Sequence, residues 1–88
     1  MVISGIYVET IPGKVEAAAK KLALIEGVEI HHLQDDYKIV LTLEAGSVDQ
    51  SYQTAETFKD VEGVLGICLV YTHFEDDPNY HSAEHLNA

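Results

Sequence analysis

Five histidines, one cysteine and a run of three acids are the side chains of this 88-residue sequence that bear on chemistry. His81 and His85 stand at i, i+4, a spacing that aligns two imidazoles if the segment is helical. His31 and His32 are adjacent, so in a strand they point to opposite faces and cannot chelate together. No cysteine or carboxylate completes a four-ligand pattern with them, and they read as polar surface and tail residues. The loop after the first strand, Glu9-Thr10-Ile11-Pro12-Gly13, lacks the paired cysteines that a heavy-metal carrier needs there. Cys68 has no partner for an intramolecular disulfide and no basic neighbour, so it is expected to be a buried small hydrophobe rather than a nucleophile. Glu75-Asp76-Asp77 are adjacent acids without the opposed geometry that acid-base catalysis uses. Neither G-x-S-x-G, a P-loop nor a dinucleotide-binding glycine pattern occurs. These residues make no case for an enzyme, and no metal or cofactor is expected.

Charge narrows the choice of partner. Five Lys+Arg against fifteen Asp+Glu give a formal net charge of -10. A chain so acidic repels phosphate backbones, which argues against nucleic acid and favours a basic partner. The 47% hydrophobic content supports a folded core. MVISGIYVET has no basic start and only a short apolar stretch, so it does not read as a signal peptide, and no segment is long enough to span a bilayer. A cytoplasmic location without stable membrane association is the expectation.

The elements that must position these residues follow from periodicity. Residues 2 to 10 are β-branched and aromatic and read as a first strand, punctuated by Pro12 and Gly13. From Lys14 to Glu26, Val15, Ala18, Ala19, Leu22 and Ile25 recur at helical spacing, and Gly27 suits the helix end. A second strand covers Val28 to Leu33, Asp35 and Asp36 turn the chain, and Lys38 to Glu44 form a third. Ser47 is placed as N-cap of a second helix, with Gln50 at its third position and an apolar stripe of Val48, Tyr52, Ala55, Phe58 and Val61. Gly63 ends that helix, and a fourth strand runs to about His73. The segment from 75 to 88 reads as an acidic, His-containing, mobile tail behind one domain of residues 1–74. Ile25-Glu26-Gly27-Val28 returns as Val61-Glu62-Gly63-Val64, displaced by 36 residues. Two such halves suit the α+β, ferredoxin-like split βαβ fold, β1-α1-β2-β3-α2-β4, with a four-stranded antiparallel sheet and both helices on one face.

The other face of the sheet is then open. Ile39, Leu41 and Leu43 alternate with Lys38, Val40, Thr42 and Glu44, which points the first set at the helices. Carried by the 36-residue echo, the same parity puts Ile3, Gly5, Tyr7, Val64, Gly66, Cys68 and Val70 under the helices. It leaves Ser4, Ile6, Val8, Val40, Leu65, Ile67, Leu69 and Tyr71 on the open face as an apolar patch rimmed by Glu9, Glu44, Glu75 and Asp76. Such a patch marks a contact surface for a partner or for a homodimer. A β-bulge would instead turn part of it into core.

Val61-Glu62-Gly63-Val64-Leu65, then Leu69-Val70-Tyr71 and an acidic stretch, together with Ser4-Gly5 and the turn at Gly27, resemble the NapD family. The resemblance covers residues 2 to 77. It implies a cytoplasmic chaperone, without a cofactor of its own, for assembly of the periplasmic nitrate reductase. The implied partner is the twin-arginine signal peptide of the catalytic subunit NapA, held back from export until molybdenum cofactor insertion and maturation. A monomer or weak homodimer is expected. The alternative is a dimeric, amino-acid-sensing regulatory domain of the same fold.

Overall fold

A computed structural model describes residues 1–74, which form β1 (Val2–Thr10), α1 (Val15–Leu22), β2 (Val28–Gln34), β3 (Lys38–Ala45), α2 (Val48–Thr57), a 3-10 turn (Phe58–Asp60) and β4 (Val64–Phe74). The sheet order is β2-β3-β1-β4, and every neighbouring pair is antiparallel. This is the expected split βαβ arrangement. The expected tail and the acids Glu75 and Asp76 lie outside the described residues.

Each element has a local cause. Ser47 caps α2: its hydroxyl accepts from the Gln50 N–H at 3.1 Å, while the Gln50 side-chain oxygen accepts from the Gly46 N–H at 3.0 Å. α1 is shorter than its apolar repeat suggests. Leu24 and Ile25 N–H groups bond back three residues, to Lys21 and Leu22 carbonyls, so the final turn tightens and Leu24 is left exposed. Gly27 and Gly63 follow their helices with φ of +89° and +93°. Each then passes its carbonyl to the sheet, Gly27 to the Glu44 N–H and Gly63 to the Ile11 N–H, both at 2.8 Å. The echo in sequence is thus a repeated helix-to-strand joint. A side chain at Gly27 would also collide with the Glu44 carbonyl.

The core gathers Ile6 and Val8 of β1, Ile39, Leu41 and Leu43 of β3, Val15, Ala18, Ala19 and Leu22 of α1, and Phe58. Register explains the grouping, since Ser4, Ile6 and Val8 stand directly opposite Leu43, Leu41 and Ile39. Cross-strand partners share a face. Ser4, Ile6 and Val8, expected on the open face, therefore lie beneath the helices, at 2%, 3% and 0% exposure. The echo fails here by one residue. Val8 precedes Gly27 by 19 positions and Leu43 precedes Gly63 by 20, so parity carried from β3 to β1 inverts. Ser4 is tolerated inside because its hydroxyl lies 3.2 Å from that of Ser51 and 3.5 Å from that of Thr72.

β4 departs from expectation through two irregularities against β1, at Gly5/Ile6 and at Glu9/Thr10. The second makes Leu65 an extra residue between the pairs Thr10–Val64 and Glu9–Gly66. Beyond it Ile67, opposite Val8, packs on the core, whereas Cys68, opposite Tyr7, is exposed on the other side. Cys68 is therefore not the buried residue expected. α2 also buries less than its stripe implies. Phe58 is fully enclosed, but Tyr52 is 68% exposed and Val48 is exposed too.

Candidate functional site: the open face of the sheet

No helix among the described residues covers the second face of the sheet, and the registers order it into four cross-strand rows. The first is His73–Ile3–Glu44. The second is Tyr71–Gly5–Thr42–Glu29, the third Cys68–Tyr7–Val40–His32, and the fourth Gly66–Glu9–Lys38–Gln34. The centre is apolar and aromatic, and glutamates stand at its margins.

Gly5 and Tyr71 form the most closely fitted pair of this face. A Cβ at Gly5 would fall within the Tyr71 ring, so the ring lies directly over the glycine. Gly5 is buried as a result, while Tyr71 stays 50% exposed. An aromatic laid across a cross-strand glycine shields its backbone and presents a flat surface to any visitor. Beside it is a shallow depression of about 330 Å³, bordered by Tyr71, Val70 and His31, with Val40 and Thr42 between them. His31 Nε2 lies 2.8 Å from the Thr42 hydroxyl and 3.7 Å from a Glu29 carboxylate oxygen. His31 reaches this face because β2 shifts register between Ile30 and His32.

At the far end Lys38 sets its ammonium 5.3 Å from the Tyr7 ring centre and 5.2 Å from that of Tyr37, within cation-π range. Its pKa is raised, first by its interaction with the Tyr7 side chain, against desolvation as the next largest effect, and then by the charges of Tyr37, Tyr7 and Asp35. Lys38 is the only lysine on the four strands of the sheet; Lys14, Lys20, Lys21 and Lys59 belong to α1, its approach and the 3-10 turn. Glu9, Glu29 and Glu44 thus outnumber the cations of this face.

The expected contact residues divide accordingly. Val40, Tyr71, Glu9 and Glu44 do come together on the open face. Ser4, Ile6, Val8 and Ile67 do not, being on the helix side. Leu69, opposite Ile6 and 61% exposed, lines a separate groove of about 270 Å³ with Val48, Tyr52 and Ala55. Leu65 is exposed at its bulge. Ile3, Gly5, Tyr7, Cys68 and Val70, expected beneath the helices, also lie on or beside this face, and Thr42, Glu29 and His31 join them; the alternation of β3 carried across the β1–β3 register accounts for those of β1. Among the described residues no group of three or more His, Cys, Asp or Glu is placed to hold a metal, and no helix is long and apolar enough to cross a membrane.

Comparison with known proteins places this geometry in a family. The chaperone NapD of Haemophilus influenzae is 31% identical over 78 residues, which span 88% of this chain and 83% of that one. The solution structure of the E. coli Tat proofreading chaperone protein NapD superposes with a TM-score of 0.74 at 24% identity, covering 85% of this chain and 80% of that one. It has the same fold. The family model described as NapD protein matches residues 1–76, nearly the whole sequence, and the chain belongs to the NapD family.

Proposed function

We propose that this protein is a chaperone for assembly of the periplasmic nitrate reductase, and that it binds the twin-arginine signal peptide of NapA on the open face of its sheet. Binding in the cytoplasm keeps the leader from the export machinery until cofactor insertion and maturation of the catalytic subunit are complete. The relative from Haemophilus influenzae is named a chaperone, and the E. coli protein of like fold a Tat proofreading chaperone.

The observation that carries the reading is a sheet face that no helix among the described residues covers, apolar at Ile3, Tyr7, Val40 and Tyr71 and acidic at Glu9, Glu29 and Glu44. A twin-arginine leader joins a basic region to an apolar stretch, and a helical or extended leader laid on this face satisfies both parts at once. The work asked of the protein is binding and shielding alone. Calorimetric titration with the leader tests it: micromolar or tighter binding is expected, with twin-lysine and unrelated basic peptides clearly weaker. Equal binding of all three would contradict the reading.

A further inference from the structure

The depression beside Tyr71 has features that a merely apolar docking surface does not need. The ring is held flat over Gly5, where no side chain fits beneath it, so its position is set before any ligand arrives. The row that begins with Tyr71 ends with Glu29, and the neighbouring row ends with Glu44. The Tyr71 ring over Gly5, with Glu29 two strands further along its row and 3.7 Å from His31 at the border of the depression, suits a group that is planar, cationic and carried on an apolar stem. Guanidinium meets all three conditions: it stacks on an aromatic face, its stem covers apolar surface, and its fork pairs with carboxylates. An ammonium has no plane to stack and holds its water more firmly. The opposite end of the face carries Lys38, which the tyrosines hold in its charged form. Glu9 stands opposite Lys38 there and offsets its charge, so a basic segment is held more strongly at the Glu29 and Glu44 end.

Resting on the reading of a twin-arginine leader as ligand, we propose that the depression at Tyr71 is a guanidinium subsite. One leader arginine lays its stem and head on Tyr71 and pairs with Glu29 or Glu44. The apolar stretch that follows runs over Tyr7, Val40 and Cys68 toward the Lys38 end. Discrimination between arginine and lysine resides in this subsite, while affinity for the apolar stretch resides in the rest of the face.

The test titrates twin-arginine and twin-lysine leaders into four proteins: wild type, Tyr71→Phe, Tyr71→Ala and the double variant Glu29→Gln/Glu44→Gln. Tyr71→Phe should keep the wild-type ratio of the two affinities. Tyr71→Ala and the double variant should each lose roughly tenfold in affinity for the arginine leader and much less for the lysine leader, the scale expected of a stacked or paired cation. The double variant alters only exposed carboxylates, so it remains informative even if Tyr71→Ala unfolds. A ratio that stays at its wild-type value in both variants, whether the affinities hold or fall together, would overturn the subsite while leaving leader binding intact. Failure of the wild type to bind any leader would instead remove the functional reading beneath it. A spin label at the leader N-terminus should broaden the amide signals of Ile3 and Glu44; broadening at Glu9 and Gln34 would overturn the orientation.

Discussion

Lys38 and the two tyrosines around it form a small electrostatic device on an otherwise acidic face. Its pKa is raised chiefly by the Tyr7 side chain beside the ammonium, assisted by the electrostatics of Tyr37, Tyr7 and Asp35. For a base raised on folding, the linked stabilisation is complete below the unfolded pKa and disappears as pH rises through the folded one. That window lies above the ordinary lysine value of about 10.4, so Lys38 contributes no pH dependence near neutrality. Replacing Tyr7 by Phe removes the leading cause, and a carbon-13 titration of the Lys38 side chain should show its midpoint moving down toward the ordinary value. An unmoved midpoint would mean that the Tyr7 hydroxyl does not raise it. Gly5 offers a second test at this scale. Gly5→Val forces the Tyr71 ring off its seat and should cost about 1–3 kcal/mol in denaturant unfolding, the usual range for overpacking, together with arginine discrimination.

The elements themselves were largely readable, and the reason is that each carries a local signal. Alternation marked β3, Ser47 and Gln50 marked the start of α2, and Gly27 and Gly63 marked where each helix hands over to a strand. Facing was not readable in β1 and β4, because it depends on register between distant strands. One extra residue between core strand and helix-ending glycine reversed β1, and the bulge at Leu65 reversed β4 from Gly66 to Leu69, until the other irregularity, at Val70, returned Tyr71 to the expected face. Ser4 added to the confusion, since its polarity suggests solvent while its hydroxyl is satisfied inside by Ser51 and Thr72. Adjacent substitutions test the corrected parity. In β1, Ile6→Asp should prevent folding, whereas Tyr7→Asp should leave the circular dichroism melt cooperative and weaken leader binding. The opposite pattern would restore the original facing. Phe58, fully buried where α2 tightens into its 3-10 turn, anchors the second helix, and Phe58→Ala should cost about 3–5 kcal/mol by chemical denaturation. A loss that large takes much of the stability of a domain this small.

The described residues form a thin two-layer plate, packed on one side and without a helical cover on the other, in a chain of net charge -10. Such a charge attracts basic peptides from a distance, so on the proposed function the association rate should fall steeply as salt rises, with dissociation changing less. Stopped-flow measurements across an ionic-strength series would show this, and a salt-independent association rate would argue for capture by apolar contact alone. Cys68, exposed on the edge strand β4 at the end of the row through Tyr7 and Val40, supplies an internal reporter: bound leader should slow its alkylation by maleimide. The central claim is that the leader occupies this face and not the apolar groove between α2 and β4 on the other side. Amide chemical-shift mapping with the NapA leader separates the two most directly. The account predicts perturbations concentrated at Ile3, Gly5, Tyr7, Val40, Thr42, Cys68 and Tyr71; a set concentrated at Val48, Tyr52, Ala55 and Leu69 would contradict it.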